Sequence, residues 1–391
     1  MPLLLCQKDS YQRSVMANVV SCAPADGGYA VVLDGTVFYP EGGGQPSDHG
    51  TIAGFPVNAV SRGRDGEVVH VIDNAVVGHV EVAIDWARRF DHMQQHTAQH
   101  ILTAVAQDRF GLATTAFHLG PDRCDIEVDA AAVPAAKLSE IEAEVNTVIR
   151  ADLPVTATEV PPEALGPMKV RMRGLPEGLA GPLRVVEIVG VDKNTCGGTH
   201  VRRTAEVQAL KITGTEPMRG GTRVFFLAGG RVLEQMHRLL ERERALTKAL
   251  QCAPAEHEAL AVKLAAESKR AAKERRALLL ELAGHLGATL TGNGPVAHLH
   301  RPDGDAEFAR AVATAAAARR PDLLVLVTIG GEAGEGAFCL AGPEPKVTAA
   351  GPKVAEALGG RGGGAKGVFQ GKAAKMEERA KALEIISATL S

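Results

Sequence analysis

Apolar residues follow two different rhythms along this chain. Between residues 15 and 85 they come in short β-branched runs, MANVVSC, YAVVLDG, TIAGFPVNAVS, EVVHVIDN and VEVAID, each about a strand long and set apart by turn residues. The glycines and prolines between the runs predict a small barrel or sandwich. From Asp85 the spacing changes to three and four, with Phe90, Met93, His96, His100, Ile101, Ala104 and Val105 on one face, which predicts a half-buried helix. A strand at DRCDIEVD, a helix over about 134–150 and strands at PLRVVEIVG and VQALKITGT carry an α+β region to about residue 228. Residues 231–290 are rich in Leu, Ala, Glu, Lys and Arg and break near Cys252-Ala253-Pro254, so they predict two long helices or a helical hairpin acting as a spacer. Strand patterns return in DLLVLVTIG and AFCLAG, and the chain closes with GGRGGGAKGVFQGKA and a helix. The expected class is α+β, organised as a β-barrel domain with a glycine motif (1–85), an α+β domain (86–230), a helical spacer (231–287) and a glycine-rich α/β domain (288–391).

Composition narrows the function. With 391 residues, 45% of them apolar, the chain can bury more than one core. A net charge of −3 excludes a protein that grips nucleic acid through bulk positive charge. Aromatics make up 4%, too few for a platform that stacks single-stranded bases, so a nucleic-acid partner would be a folded one. Six cysteines without a CxxC pair point to a reducing cytoplasm. No apolar run is long enough for a membrane span, and MPLLLCQKDS lacks the features of an export signal.

Candidate chemistry lies in three short motifs. His96 and His100 stand at i and i+4, which puts two imidazoles on one helix face within reach of one metal ion. His92 extends the series, but i and i+8 are about 12 Å apart at 1.5 Å per residue, so only one pair can serve, and spacing leaves the choice open. Further along, Thr195-Cys196-Gly197-Gly198-Thr199-His200 offers a thiolate and another imidazole around a flexible glycine pair. Each motif alone is more simply a surface or core histidine; together they make a Cys/His metal set. Near the N-terminus, Thr36-Val37-Phe38-Tyr39-Pro40-Glu41-Gly42-Gly43-Gly44-Gln45-Pro46-Ser47-Asp48-His49-Gly50 places three glycines between an apolar strand and polar side chains. It is neither GxGxxG nor a P-loop, and its plain reading is a tight turn between strands.

In their order and spacing, QQHTAQHIL, NTCGGTH and FYPEGGGQPSDHG resemble the editing domain of alanyl-tRNA synthetase and of its free-standing relatives, the AlaX proteins. FHLG (117–120), RVVEIVGVD (184–192) and HVRRTAEVQALKI (200–212) extend the resemblance over roughly residues 1–230. The last hundred residues look like the C-terminal globular domain of the synthetase, which together suggests the long form of AlaX. The resemblance implies a Zn2+ site of His96, His100, Cys196 and His200, with His92 a bystander. It also implies hydrolysis of the ester joining a wrong amino acid, chiefly serine and after it glycine, to tRNA(Ala). Thr36 is the expected partner of serine's hydroxyl, and Gln45 of the oxyanion or the attacking water; whether zinc activates water or positions substrate stays open. Arg202, Arg203, Arg219, Arg361 and Lys366 are the candidate tRNA contacts, together with the charged run at 263–276, whose plain reading is a solvated helix face. A homodimer through the C-terminal domain is plausible by the same resemblance. An editing-like domain beginning near residue 1 leaves no room for an aminoacylation domain, so ATP is not expected as a substrate. The rival readings are a non-catalytic zinc-containing tRNA-binding or regulatory protein and a metallohydrolase of another ester.

Overall fold

A computed structural model describes residues 3–168, 170–171, 182–290 and 294–390. It divides into two compact units, Met1–Ala245 and Leu246–Ser391, and its class is mixed α+β with a closed barrel.

The β-branched runs of the first unit become the barrel. Strands Ser14–Ala25, Gly28–Leu33, Val68–Ile72, Phe55–Arg62, Gly50–Ile52 and His79–Ile84 follow one another around it. Alternation does the work here: in Val68–Ile72 every second side chain is buried, and Val31, Leu33, Phe38, Ile52, Ile72 and Val82 fill the interior. The run TIAGFPVNAVS, expected as one strand, is two, because Ala53 and Gly54 both turn through positive φ (52° and 81°). The short strand Gly35–Thr36 leaves the barrel wall and pairs in parallel with Leu3–Leu4.

Asp85 ends the last barrel strand and caps the next helix, Trp86–Phe110, its carboxylate accepting from Arg88 N; Gly111 stops that helix in the left-handed conformation. The helix is not half-buried as its apolar spacing suggests: every residue from His92 to Ala106 is buried. Periodicity counts apolar side chains and so misses the polar face, which is buried because each amide finds a partner. Gln94 Nε2 donates to Glu206 O (2.8 Å), Gln95 Nε2 to Ala228 O (2.8 Å) and Gln99 Nε2 to Thr103 Oγ1 (2.9 Å). Around the helix stand a four-stranded sheet (Leu210–Met218, Gly221–Ala228, Cys124–Val128, Thr114–Leu119), a three-stranded sheet (Val155–Val160, Leu183–Ile188, Asp192–Thr195) and the helix Ala135–Arg150. Arg89 is fully buried and bonds Asp48, Val37 O and Ser10 O, so it pins the glycine-rich segment to the helix.

Helix Gly230–Leu250 has no buried residue, and helix His257–Thr289 follows after the break at Cys252–Pro254. In the second unit a five-stranded sheet runs Val296–Arg301, Leu324–Gly330, Gly336–Ala341, Val368–Ala373, Arg361–Ala365, its first pair parallel and the rest antiparallel. One face packs on helix Ala306–Arg319, the alanine-rich stretch, whose small side chains allow close approach to Ala283. The other packs on Glu344–Ala357 and Arg379–Ala388. The glycine cluster at 359–364 forms most of a hairpin strand: a Cβ at Gly364 would overlap Val368 O, so the glycines serve their own hairpin first. Among the described residues no helix is long and apolar enough to cross a membrane.

Candidate metal centre

One turn of helix places His96 and His100 side by side, with ring centroids 5.2 Å apart. Strand Asp192–Thr195 delivers Cys196 and the following loop returns His200 to the same point. Gly198 lies against the His96 ring so closely that a Cβ would overlap it, which is why a glycine stands there. Arg184 Nη1 fixes the loop by donating to Cys196 O (2.8 Å) and Gly198 O (2.9 Å), and Gln7 Nε2 donates to Gly197 O (2.9 Å).

The ligand atoms of His96, His100, Cys196 and His200 all lie within 4.8 Å of one another. Each imidazole is held from behind by its Nδ1: His96 against Gln45 Oε1 (2.9 Å), His100 against Asp192 Oδ2 (2.8 Å) and His200 against Thr97 Oγ1 (3.1 Å). All three Nε2 atoms therefore remain for the shared point; those of His96 and His200 lie 3.5 and 3.3 Å from Cys196 Sγ. Buried imidazoles with Nδ1 tied to an acceptor and Nε2 turned inward, beside a thiolate, suit a tetrahedral metal ion such as zinc. His92, on the same helix, stays outside the group, and its buried Nδ1 has no hydrogen-bond partner among the described residues. In a second cluster, His118, Asp125 and Glu127, Arg223 already pairs with both carboxylates (2.9 and 2.6 Å).

At Cys196 and His200 the electrostatics agree with the donor set, whereas His100 has to give up a proton before it can ligate. Burial would raise the Cys196 thiol, but the neighbouring His96 and His200 rings and hydrogen bonds from His100 and His200 hold it well below the usual thiol range. Burial, then repulsion from His96, pushes His200 down to about 3 and so favours the neutral, ligating form. His100 is pushed up to about 9: burial opposes its charge, and the bonds to Asp192 and Cys196 outweigh burial.

Gln45 is fully buried and joins the site through its amide. Its Oε1 accepts from Thr199 N (3.0 Å) as well as facing His96, and its Nε2 donates to Thr199 Oγ1 (2.9 Å). Thr36 is also buried but bonds inside the barrel, to His70 Nε2 (2.9 Å) and Phe38 N (3.1 Å). Arg202 is exposed, 3.1 Å from Asp9 and stacked 4.1 Å over the Tyr11 ring. Arg203 pairs with Asp152 at 2.7 Å, and Arg219 is exposed beside the Gly220 turn. Arg361 opens the hairpin of the second unit, with Lys366 at its turn, φ 54°. Sequence reading missed Asp192, Thr97, Thr199 and Arg184. Thr97 and Thr199 lie within QQHTAQH and NTCGGTH, and Arg184 and Asp192 begin and end RVVEIVGVD, but nothing local gives their roles, since their partners lie up to 177 residues away.

Residues 183–224, which include Cys196 and His200, match the family described as Threonyl and Alanyl tRNA synthetase second additional domain. The chain is 44% identical to alanyl-tRNA editing protein Aarsd1 of Rattus norvegicus, over 96% of this chain and 95% of that protein. It is 40% identical to Aarsd1 of Danio rerio over 96% and 95%. It is also 35% identical to alanyl-tRNA editing protein AlaX-L of Pyrococcus horikoshii, over 60% of this chain and 59% of that one.

Proposed function

The chain belongs to the alanyl-tRNA editing proteins, and from that membership we propose that it is a zinc-dependent deacylase of mischarged tRNA(Ala), chiefly Ser-tRNA(Ala) and after it Gly-tRNA(Ala). The observation that carries the reading is the inward convergence of three Nε2 atoms and one thiolate, each imidazole anchored at Nδ1. His96, His100, Cys196 and His200 would hold a zinc ion there, which would act as a Lewis acid for an ester carbonyl or a water if its shell opened to a further ligand, and would position the substrate if all four protein ligands stayed bound.

The chain's own residues do the rest. Asp192, Gln45 and Thr97 keep the three rings turned and in one tautomer, and Asp192 adds negative charge behind His100. The glycine-rich segment, pinned by Arg89, carries Gln45 into the site; the amide proton of Gln45 not given to Thr199 is free to reach developing negative charge or a water. Thr36 is the reading for side-chain choice, because a site that bonds a hydroxyl rejects a substrate lacking it far better than an apolar pocket rejects an addition. Arg202, Arg203, Arg219, Arg361 and Lys366 are the cations we assign to the tRNA backbone. The test is metal content of the purified chain combined with hydrolysis of Ser-, Gly- and Ala-tRNA(Ala). Zinc near one per chain with seryl and glycyl esters cleaved and alanyl spared is the expected result. Bound tRNA without hydrolysis of any ester would move the protein to the non-catalytic reading.

A further inference from the structure

The barrel interior holds a polar pair that the metal chemistry does not use. Thr36 and His70, 1% and 0% exposed, meet with Oγ1 2.9 Å from Nε2. The direction of that bond follows from what surrounds it. His70 Nδ1 faces Val31 O at 3.1 Å, and a carbonyl only accepts, so Nδ1 carries the proton. Burial keeps the imidazole neutral, its pKa pushed down to about 4. Nε2 is then an acceptor, and the Thr36 hydroxyl must donate to it. Thr36 Oγ1 in turn accepts from Phe38 N at 3.1 Å. With its proton given away and one lone pair used, the hydroxyl can make one more bond, and only by accepting. Phe38 locks the arrangement from the other side, its ring edge-on to His70 with centroids 5.3 Å apart.

We propose that His70 is a positioning residue for substrate choice: by taking the Thr36 proton it makes Thr36 a one-way acceptor for a hydroxyl on the amino acid of the charged tRNA. The inference rests on the reading that Thr36 meets that side chain. Its chemical content is that the recognised group must be a donor. Serine's O–H qualifies; glycine and the correct alanine have no side-chain donor, and a threonine free to rotate would accept and donate without distinction.

The experiment compares deacylation of Ser-tRNA(Ala) and Gly-tRNA(Ala) by the full chain and by Thr36→Val, His70→Phe and the double variant, with zinc content and Tm measured on each. His70→Phe retains ring volume and removes Nε2. We expect Thr36→Val to lower kcat/KM on the seryl ester by about tenfold to a hundredfold, with glycyl turnover far less affected. We expect His70→Phe to lower the seryl value roughly fivefold or more, to leave the glycyl value within about threefold, and to cost nothing further in the Thr36→Val background. Selective loss in Thr36→Val but equal losses on both esters in His70→Phe, or multiplying losses in the double variant, would overturn the role of His70 and leave Thr36 standing. Equal losses in Thr36→Val itself would remove the reading of Thr36 and this inference with it. Should His70→Phe fail to fold, 15N NMR of histidine-labelled unmodified protein decides: a neutral His70 protonated at Nδ1 supports the inference, and protonation at Nε2 overturns it.

Discussion

Replacing Gln45 by leucine separates two roles that its position allows. The buried amide oxygen faces both His96 Nδ1 and Thr199 N, so leucine leaves two buried donors unpaired. Each orphaned donor costs about 1 to 3 kcal/mol. The Thr199 share falls equally on the metal-free and metal-loaded protein and appears as lost stability. The His96 share falls mainly on the loaded state, which needs the ring held with Nε2 inward, and at about 1.4 kcal/mol per tenfold it amounts to a zinc Kd raised roughly tenfold to a hundredfold. Gln45→Glu keeps an acceptor for both donors, and the Thr199 hydroxyl can turn to donate to it, so its zinc Kd should stay within about threefold of the parent. The assay is chelator competition for zinc on parent, Gln45→Leu and Gln45→Glu, followed by single-turnover deacylation of Ser-tRNA(Ala) at saturating zinc. If Gln45 is the holder of His96, the leucine variant regains most of its rate once the site is filled. Unchanged zinc affinity in Gln45→Leu, with a rate loss of about a hundredfold to a thousandfold at full occupancy, would refute that reasoning and make the amide an oxyanion donor.

Cys196→Ala should lower zinc occupancy and deacylation together, since the thiolate supplies both charge and a coordination bond; full activity in the metal-free variant would refute the metal mechanism. A chain ending at Ala245 should keep its zinc and show a raised KM for charged tRNA. The cut belongs there and not near residue 230, because Arg231 pairs with Asp91 of the histidine helix at 2.7 Å; an unchanged KM would take the second unit out of tRNA binding. Acid should destabilise the barrel through His70, whose folded pKa of about 4 lies below the unfolded value of 6.5. Between those values the unfolded state binds the extra proton, so this contribution is intact above about pH 6.5 and is lost as the pH falls to about 4, a total of about 3 kcal/mol. In His70→Phe, urea titrations from pH 7 to 4 should show a shallower fall of stability; the same slope as the parent would refute this.

How far the fold is legible from the chain depends on the range of the forces that shape each part. The barrel strands and the helix capped by Asp85 are local facts, a period of two followed by a cap and a period near 3.6, and the structure has them where the sequence places them except for the run at 51–61, which Ala53 and Gly54 split in two. The burial of Gln94, Gln95 and Gln99 is not local, since a glutamine enters a core only when a backbone carbonyl or hydroxyl elsewhere in the fold accepts its protons. Likewise the glycine cluster at 359–364 reads as open backbone until its hairpin partner Val368–Ala373 is seen filling the space.

The same distinction explains why helix spacing could offer three histidines and not choose among them. His92, His96 and His100 share one helix, and all three are buried. What differs is the atom behind each ring. Gln45 stands behind His96 across 51 residues of sequence and Asp192 behind His100 across 92, while His92 Nδ1 has no partner among the described residues. An imidazole with Nδ1 fixed by an acceptor presents Nε2 as a ready ligand; one with no such acceptor has neither its tautomer nor its orientation set. On the proposed reading, ligand identity is a property of the residues behind the rings. On that argument the substitutions most damaging to the centre, after the ligands themselves, are those at Gln45 and Asp192, two residues brought to the helix by the glycine-rich segment and by the strand that leads into Cys196.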